Sequence, residues 1–76
     1  MIVKVYSSPF CFWCNMLKKF LKENNIEFED LNVQENQEAA IEMVEKTGQT
    51  GVPVIDIDGK IIVGFDEKKI RKALSL

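Results

Sequence analysis

The feature that most constrains the fold is a junction. A short run rich in β-branched side chains, Ile2-Val3-Lys4-Val5-Tyr6, passes through Ser7-Ser8-Pro9-Phe10 into Cys11-Phe12-Trp13-Cys14, where a helical pattern begins. The run reads as a strand in the interior of a sheet. The helix reads from about Phe12 to Glu23, with Cys14, Leu17, Phe20 and Leu21 on one face. Asn15, Lys18, Lys19 and Lys22 fall elsewhere, the lysines suiting the negative end of that helix. Both cysteines of the chain sit at the helix start, spaced C-x-x-C. Two sulfurs so placed can close into a small ring and reopen. The first also faces the partly positive amide end of the helix, which favours the thiolate, the reactive form of cysteine.

Downstream, Asn24-Asn25 is a helix stop. Ile26-Glu27-Phe28 and Leu31-Asn32-Val33 each alternate, which predicts one short strand with an irregularity near Asp30. Asn36 predicts an N-cap for a helix from Gln37 to Lys46, its apolar residues Ala40, Ile41, Met43 and Val44, with Gly48 as the stop. The glutamates of that helix read as a solvated face. After Gln49-Thr50-Gly51 and Val52-Pro53, Val54-Ile55-Asp56-Ile57 reads as a strand. Asp58-Gly59 fits a two-residue turn with both residues at positive φ, and Lys60-Ile61-Ile62-Val63 returns antiparallel. Asp66 predicts the N-cap of a last helix carrying Ile70, Ala73 and Leu74. A strand–helix–strand unit implies a parallel pair with a right-handed crossover. The expected architecture is α/β: βαβαββα, a four-stranded mixed sheet flanked by three helices, in one domain spanning 1–76.

Composition narrows the function. A chain of 76 residues with 46% apolar side chains and a net charge of −2, both signs interspersed, offers no basic patch for nucleic acid and no polybasic membrane signal. The start MIVKVYSS does not have the form of a signal peptide, and no apolar run approaches the roughly 20 residues of a membrane-spanning helix. A Cys11–Cys14 bridge would close so short a loop that it would hardly constrain the unfolded chain, so a stabilising role is rejected. A cytoplasmic monomer is expected, a setting where C-x-x-C signals redox or metal chemistry. For metal, the chain has no histidine and no third cysteine, so one chain cannot complete a thiolate or imidazole site.

These landmarks together resemble the glutaredoxin family of the thioredoxin fold. They are the first strand, the C-x-x-C at a helix start, Val52-Pro53 before the third strand and Gly64-Phe65-Asp66 before the last helix. The likeness covers essentially the whole chain and is nearest to the short glutaredoxin-like proteins, NrdH-redoxins and YruB-type glutaredoxins. The resemblance implies a thiol–disulfide oxidoreductase with Cys11 as nucleophile and Cys14 as the more buried resolving thiol. It implies a cis Pro53, with the backbone of Val52 open to pair with substrate, and Gly64, Phe65 and Asp66 bordering the groove that takes glutathione. No bound cofactor is implied; electrons would come from glutathione or from thioredoxin reductase, and protein disulfides would be substrates. The chain has Phe12-Trp13 where the family commonly has Pro-Tyr, Ser8 where a basic residue is common, and Gly51 where threonine often precedes Val-Pro.

Individual residues keep two readings. Cys11 is expected to ionise below the free-cysteine value of about 8.5. Phe12 and Trp13 read as an apolar rim for a protein substrate or, for one of them, as core. Asp66 reads as a helix cap or as a partner for a substrate ammonium, and Tyr6 as core. Three alternatives to a general disulfide reductase stand: a dedicated electron donor to one partner such as ribonucleotide reductase or a peroxidase, a dimer bridged by an iron–sulfur cluster, and a binding domain that has kept only the fold.

Overall fold

The computed structural model describes residues 1–76, and its elements follow the expected βαβαββα order: β1 (Val3–Ser7), α1 (Phe12–Glu23), β2 (Glu29–Asn32), α2 (Gln37–Thr47), β3 (Val54–Ile57), β4 (Lys60–Val63) and α3 (Glu67–Leu74). The sheet runs β2-β1-β3-β4. The β1–β2 pair is parallel, with Val5 opposite Asp30. The β1–β3 and β3–β4 pairs are antiparallel, with Val5 opposite Ile55 and Ile55 opposite Ile62. This is the thioredoxin-like arrangement, with β1 interior. Asp58 (φ 50°) and Gly59 (φ 94°) make the hairpin turn, both left-handed as a two-residue turn with right-handed strand twist requires.

Strand alternation divides the core into two halves. On one face, Val3, Val5, Ile55 and Ile57 meet Leu17, Phe20 and Leu21 of α1 and Ile70 and Leu74 of α3. On the other, Tyr6 and Val54 meet Ala39 and Met43 of α2. Each helix starts on a side-chain cap: Cys11 for α1, Asn36 for α2 and Asp66 for α3. No helix is long and apolar enough to cross a membrane.

Several expectations need correction. Residues 26–28 are not part of a strand. Asn25 turns left-handed (φ 57°) and the Ile26 amide reaches back to the Leu21 carbonyl at 2.9 Å, so the apolar Ile26 and Phe28 pack on the α1 half of the core from a helix-ending turn. The true strand is β2, regular through Asp30. In α2 the inward face is not Ala40, Ile41 and Val44. Ile41 and Val44 are exposed, whereas Ala39 and Met43 are buried. The face on the sheet is Ala39, Glu42, Met43 and Lys46, at i, i+3, i+4 and i+7, and because it mixes apolar and charged residues a hydrophobic count selects the wrong side.

Glu42, although part-exposed, is accordingly bonded to the sheet and not left to solvent alone. The Tyr6 hydroxyl donates to it, and Lys46 Nζ (2.8 Å) and Lys4 Nζ (3.3 Å) converge on the same oxygen. Lys46 also donates to Tyr6 (2.8 Å) and to Asp56 of β3 (2.6 Å). The Lys46 hydrogen bond, then that of Tyr6, pulls the Glu42 carboxyl from 4.5 to about 2. Burial pushes the Lys46 ammonium down, but Asp56, Glu42 and Tyr6 outweigh it and hold it above its usual value. Burial, together with Glu42, pushes the Tyr6 hydroxyl up. No buried side-chain polar atom of the chain is left without a partner.

Candidate active site

Strand β1 ends at Ser7, and Ser8-Pro9-Phe10 carries the chain to Cys11, the N-cap of α1. Cys11 and Cys14 are joined as a disulfide with their Cα atoms 5.2 Å apart. The Cys14 amide donates to Cys11 Sγ at 3.1 Å, and the Asn15 amide to the Cys11 carbonyl at 3.1 Å. The two sulfurs differ in access: Cys14 is fully buried, while Cys11 is partly exposed. Helix α1 has no acidic residue in its first turn, whereas α2 has Glu38 and α3 has Glu67. The positive end of α1 is therefore left for the Cys11 sulfur, a placement that stabilises a thiolate.

Around Cys11 lies an apolar surface. Phe10 is 98% exposed, Phe12 65% and Trp13 56%. Neither ring between the cysteines is core, which corrects that reading of Trp13. Phe12 and Trp13 meet edge to face with centroids 5.0 Å apart, and Trp13 lies 6.4 Å from Phe65. Phe65 in turn rests on Phe20 at 5.7 Å, so the rim is anchored in the core. Phe10 belongs to this surface; its place next to Cys11 in sequence was the signal available for it.

The other expected site residues lie in two loops tied to each other. The Val52–Pro53 peptide bond is cis. Pro53 is buried, and its carbonyl accepts from the Gly64 amide at 2.8 Å. Val52 packs its side chain on the α2 half of the core, while its amide and carbonyl take no hydrogen bond from the chain. Asp66 caps α3, its Oδ1 accepting from the Lys69 amide at 3.1 Å, with Lys69 Nζ 4.0 Å from Oδ2. Both of its functions are geometrically open, since the side chain remains 42% exposed. The cysteines are the only thiols and the chain has no imidazole, and no three histidine, cysteine or carboxylate side chains gather anywhere into a metal-binding group.

A sequence model of the glutaredoxin family, described as Glutaredoxin, matches residues 3–62. The chain belongs to the glutaredoxin family. It is 47% identical over 73 residues to a glutaredoxin-like 8.6 kDa protein in the rubredoxin operon of Clostridium pasteurianum, covering 96% of this chain and 97% of that one. It is 37% identical over 71 residues to the glutaredoxin-like protein NrdH of Lactococcus lactis, covering 93% and 97%. The structure of the Escherichia coli NrdH-redoxin, a protein described as having a thioredoxin-like activity profile, superposes with a TM-score of 0.83 at 25% identity, over 95% of this chain and 93% of that one. This glutaredoxin is thus a thiol oxidoreductase of the glutaredoxin and NrdH-like type, with its Cys-x-x-Cys pair in Cys11 and Cys14.

Proposed function

We propose that this glutaredoxin reduces disulfides by a two-thiol exchange in which Cys11 attacks and Cys14 resolves. The observation that carries this reading is the unequal access of the two sulfurs in one disulfide: Cys11 partly exposed at the positive end of α1, Cys14 fully buried. The Cys11 thiolate attacks one sulfur of the substrate disulfide; that bond breaks and the departing thiolate takes a proton from water. Cys14 loses its proton and attacks Cys11 Sγ, the mixed disulfide breaks, and the substrate leaves as two thiols. The protein is left as the disulfide seen here, having given up two electrons. A reductant, glutathione or a thioredoxin reductase, restores the dithiol, and no bound cofactor takes part.

The open backbone of Val52 beside the buried Pro53 supports pairing with an extended substrate segment. Phe12, Trp13 and Phe65 supply apolar contact, and the free portion of the Asp66 carboxylate supplies a partner for a substrate ammonium. The exposed aromatic rim favours a second reading, service as an electron donor dedicated to one protein partner, because burying Phe10, Phe12 and Trp13 against a protein gains far more than against a tripeptide. The reducing chemistry fits a cytoplasmic monomer.

The test is NADPH consumption with a disulfide substrate under two reducing systems, glutathione with glutathione reductase and thioredoxin reductase, with Cys11→Ser and Cys14→Ser alongside. Turnover through glutathione would assign the Val52, Phe65 and Asp66 groove to the tripeptide. Turnover only through thioredoxin reductase would make it a protein-docking rim. Silence in both would sink the general reductase and leave the dedicated donor; visible absorbance of the fresh protein would instead indicate a cluster shared between chains.

A further inference from the structure

Resolution by Cys14 poses a physical problem. A fully buried thiol resists ionisation, because burial disfavours the charged form, yet Cys14 must become a thiolate to release the substrate. One helical turn along α1, at i+4 from Cys14, stands Lys18, whose side chain is only 21% exposed. Its ammonium is held: Nζ donates to Asp30 Oδ2 at 3.0 Å, and Asp30 Oδ1 accepts from the Ser7 hydroxyl at 2.7 Å. Ser7 is 2% exposed and ends the strand that leads into the cysteine loop. The chain Ser7–Asp30–Lys18 therefore ties together β1, β2 and α1, the elements that flank the cysteine loop and carry the pair.

The charged and titratable surroundings of this face are few. On it, β1 and β3 present Val3, Val5, Ser7, Ile55 and Ile57, with no charge among them. The second strand, β2, contributes Asp30. From α3, Asp66 caps its own helix and Arg71 lies over Phe20, 4.9 Å from its ring centroid, beside Glu67. Tyr6, Lys4, Glu42, Lys46 and Asp56 belong to the opposite face. On α1 itself the i−3, i−4 and i+3 neighbours of Cys14 are Cys11, Phe10 and Leu17, which leaves Lys18 as the one cation within a turn.

We propose, building on the two-thiol reading above, that Lys18, fixed by Asp30 and Ser7, is a positioning residue whose held ammonium favours the Cys14 thiolate in the resolving step. Side chains at i and i+4 have Cβ atoms about 5–6 Å apart and share one side of the helix, and a nearby opposite charge eases ionisation by about 1–3 pH units; because Asp30 offsets part of the Lys18 charge, the low end applies.

The experiment is stopped-flow reaction of the reduced protein with Ellman's reagent across pH 5–10. The first release of thionitrobenzoate reports attack by Cys11. The second, first-order and independent of reagent concentration, reports attack of the Cys14 thiolate on Cys11 Sγ, with a second thionitrobenzoate leaving as the Cys11–Cys14 bond forms. Expected for Lys18→Gln is a second-phase midpoint about one pH unit higher and a rate at pH 7 about tenfold lower, one pH unit being one factor of ten. The first phase should be unchanged, and Lys18→Arg should restore the wild-type profile. Thermal melting of each variant separates this from a structural role, which would lower the melting temperature and disturb both phases. An unchanged second-phase profile in Lys18→Gln overturns the proposal while the two-thiol mechanism stands. Absence of any second release from the wild-type protein would instead overturn the two-thiol mechanism itself.

Discussion

Replacing Glu42 by glutamine tests the charged cluster that fastens α2 to the sheet. The carboxylate receives Tyr6, Lys46 and Lys4 on one oxygen, and it is held at about 2 in place of 4.5. At about 1.4 kcal/mol per pH unit, that displacement would correspond to roughly 3 kcal/mol for a fully shielded group. The Glu42 side chain is 40% exposed, and solvent screening brings the expected contribution down to about 1–2 kcal/mol. Glutamine keeps an acceptor for Tyr6 and leaves Lys46 paired with Asp56, so the substitution removes charge while the packing of Ala39 and Met43 persists. At pH 7 the variant should melt roughly 4–16 °C below wild type, since 1 kcal/mol moves a domain of this size by about 4–8 °C. A carboxylate whose folded pKa lies below its unfolded value contributes its stability above the unfolded pKa and loses it as pH falls through the folded one. The gap between the two proteins should therefore be full above about pH 4.5 and close progressively toward pH 2. Circular dichroism melts at pH 7, 5, 4, 3 and 2.5 read it directly; other carboxylates titrate alike in both proteins and cancel in the difference. A gap that stays constant from pH 7 to pH 2.5, or no gap at pH 7, would refute the assignment of Glu42 as the acceptor of the cluster.

Three further outcomes are expected. Cys14→Ser should accumulate a mixed disulfide with substrate, seen as a mass increase that reducing agent removes, while Cys11→Ser accumulates none; the reverse pattern would exchange the two roles. Trp13 is the single tryptophan and sits between the bridged cysteines, and a disulfide quenches a neighbouring indole by accepting its excited electron, so emission should rise on reduction of the wild type and not of Cys14→Ser. An unchanged signal would place the ring away from the pair. Asp66→Ala should cost about 1 kcal/mol of stability through loss of the α3 cap, with Asp66→Asn nearly neutral. A turnover loss above tenfold in Asp66→Asn, with stability kept, would show that its charge meets the substrate.

Much of this was legible in the sequence because local rules and tertiary demands agree. The Asn36 and Asp66 caps, the Asp58-Gly59 turn and the α1 face of Cys14, Leu17, Phe20 and Leu21 each follow from short-range physics, whereas the Cys11 cap, from a residue type that seldom caps helices, does not. The element order then fixes the parallel pair and the hairpin. What was not legible came from residues whose partners lie far away in sequence. Glu42 and Lys46 look wholly solvated on their own helix and are drawn onto the sheet only because Tyr6 and Asp56 wait there, 36 and 10 residues distant respectively from the group that bonds each. Ser7 and Asp30 read as a loop edge and an irregularity; their hydrogen bond appears only when β1 and β2 are set in parallel register. Trp13 resisted assignment because an aromatic beside a reactive thiol is as compatible with core as with a rim, and helical phase alone, one step before the buried Cys14, does not decide it.

The two faces of the sheet carry unlike kinds of polarity, and the difference bears on how a reactive pair can cycle in so small a protein. On the α2 face, charges of both signs are locked together by direct hydrogen bonds, so that half of the core cannot rearrange without stranding a buried polar group. On the α1 face the interior is almost wholly apolar, with a single hydrogen-bonded chain, Ser7–Asp30–Lys18, at the edge nearest the dithiol. A disulfide that opens and closes changes the charge on sulfur at each turn, and an apolar neighbourhood magnifies whatever fixed charge is close. The α1 amides face Cys11, and under the proposal above Lys18, a helical turn from Cys14, would give the second sulfur its own source of positive potential. On the α2 face the hydrogen bonds of Tyr6 with Glu42 and Lys46 tie β1 to α2. The loops that would receive substrate are bound to each other through Pro53 and Gly64 rather than to the cysteines, and they can hold a segment while the bond beside it changes.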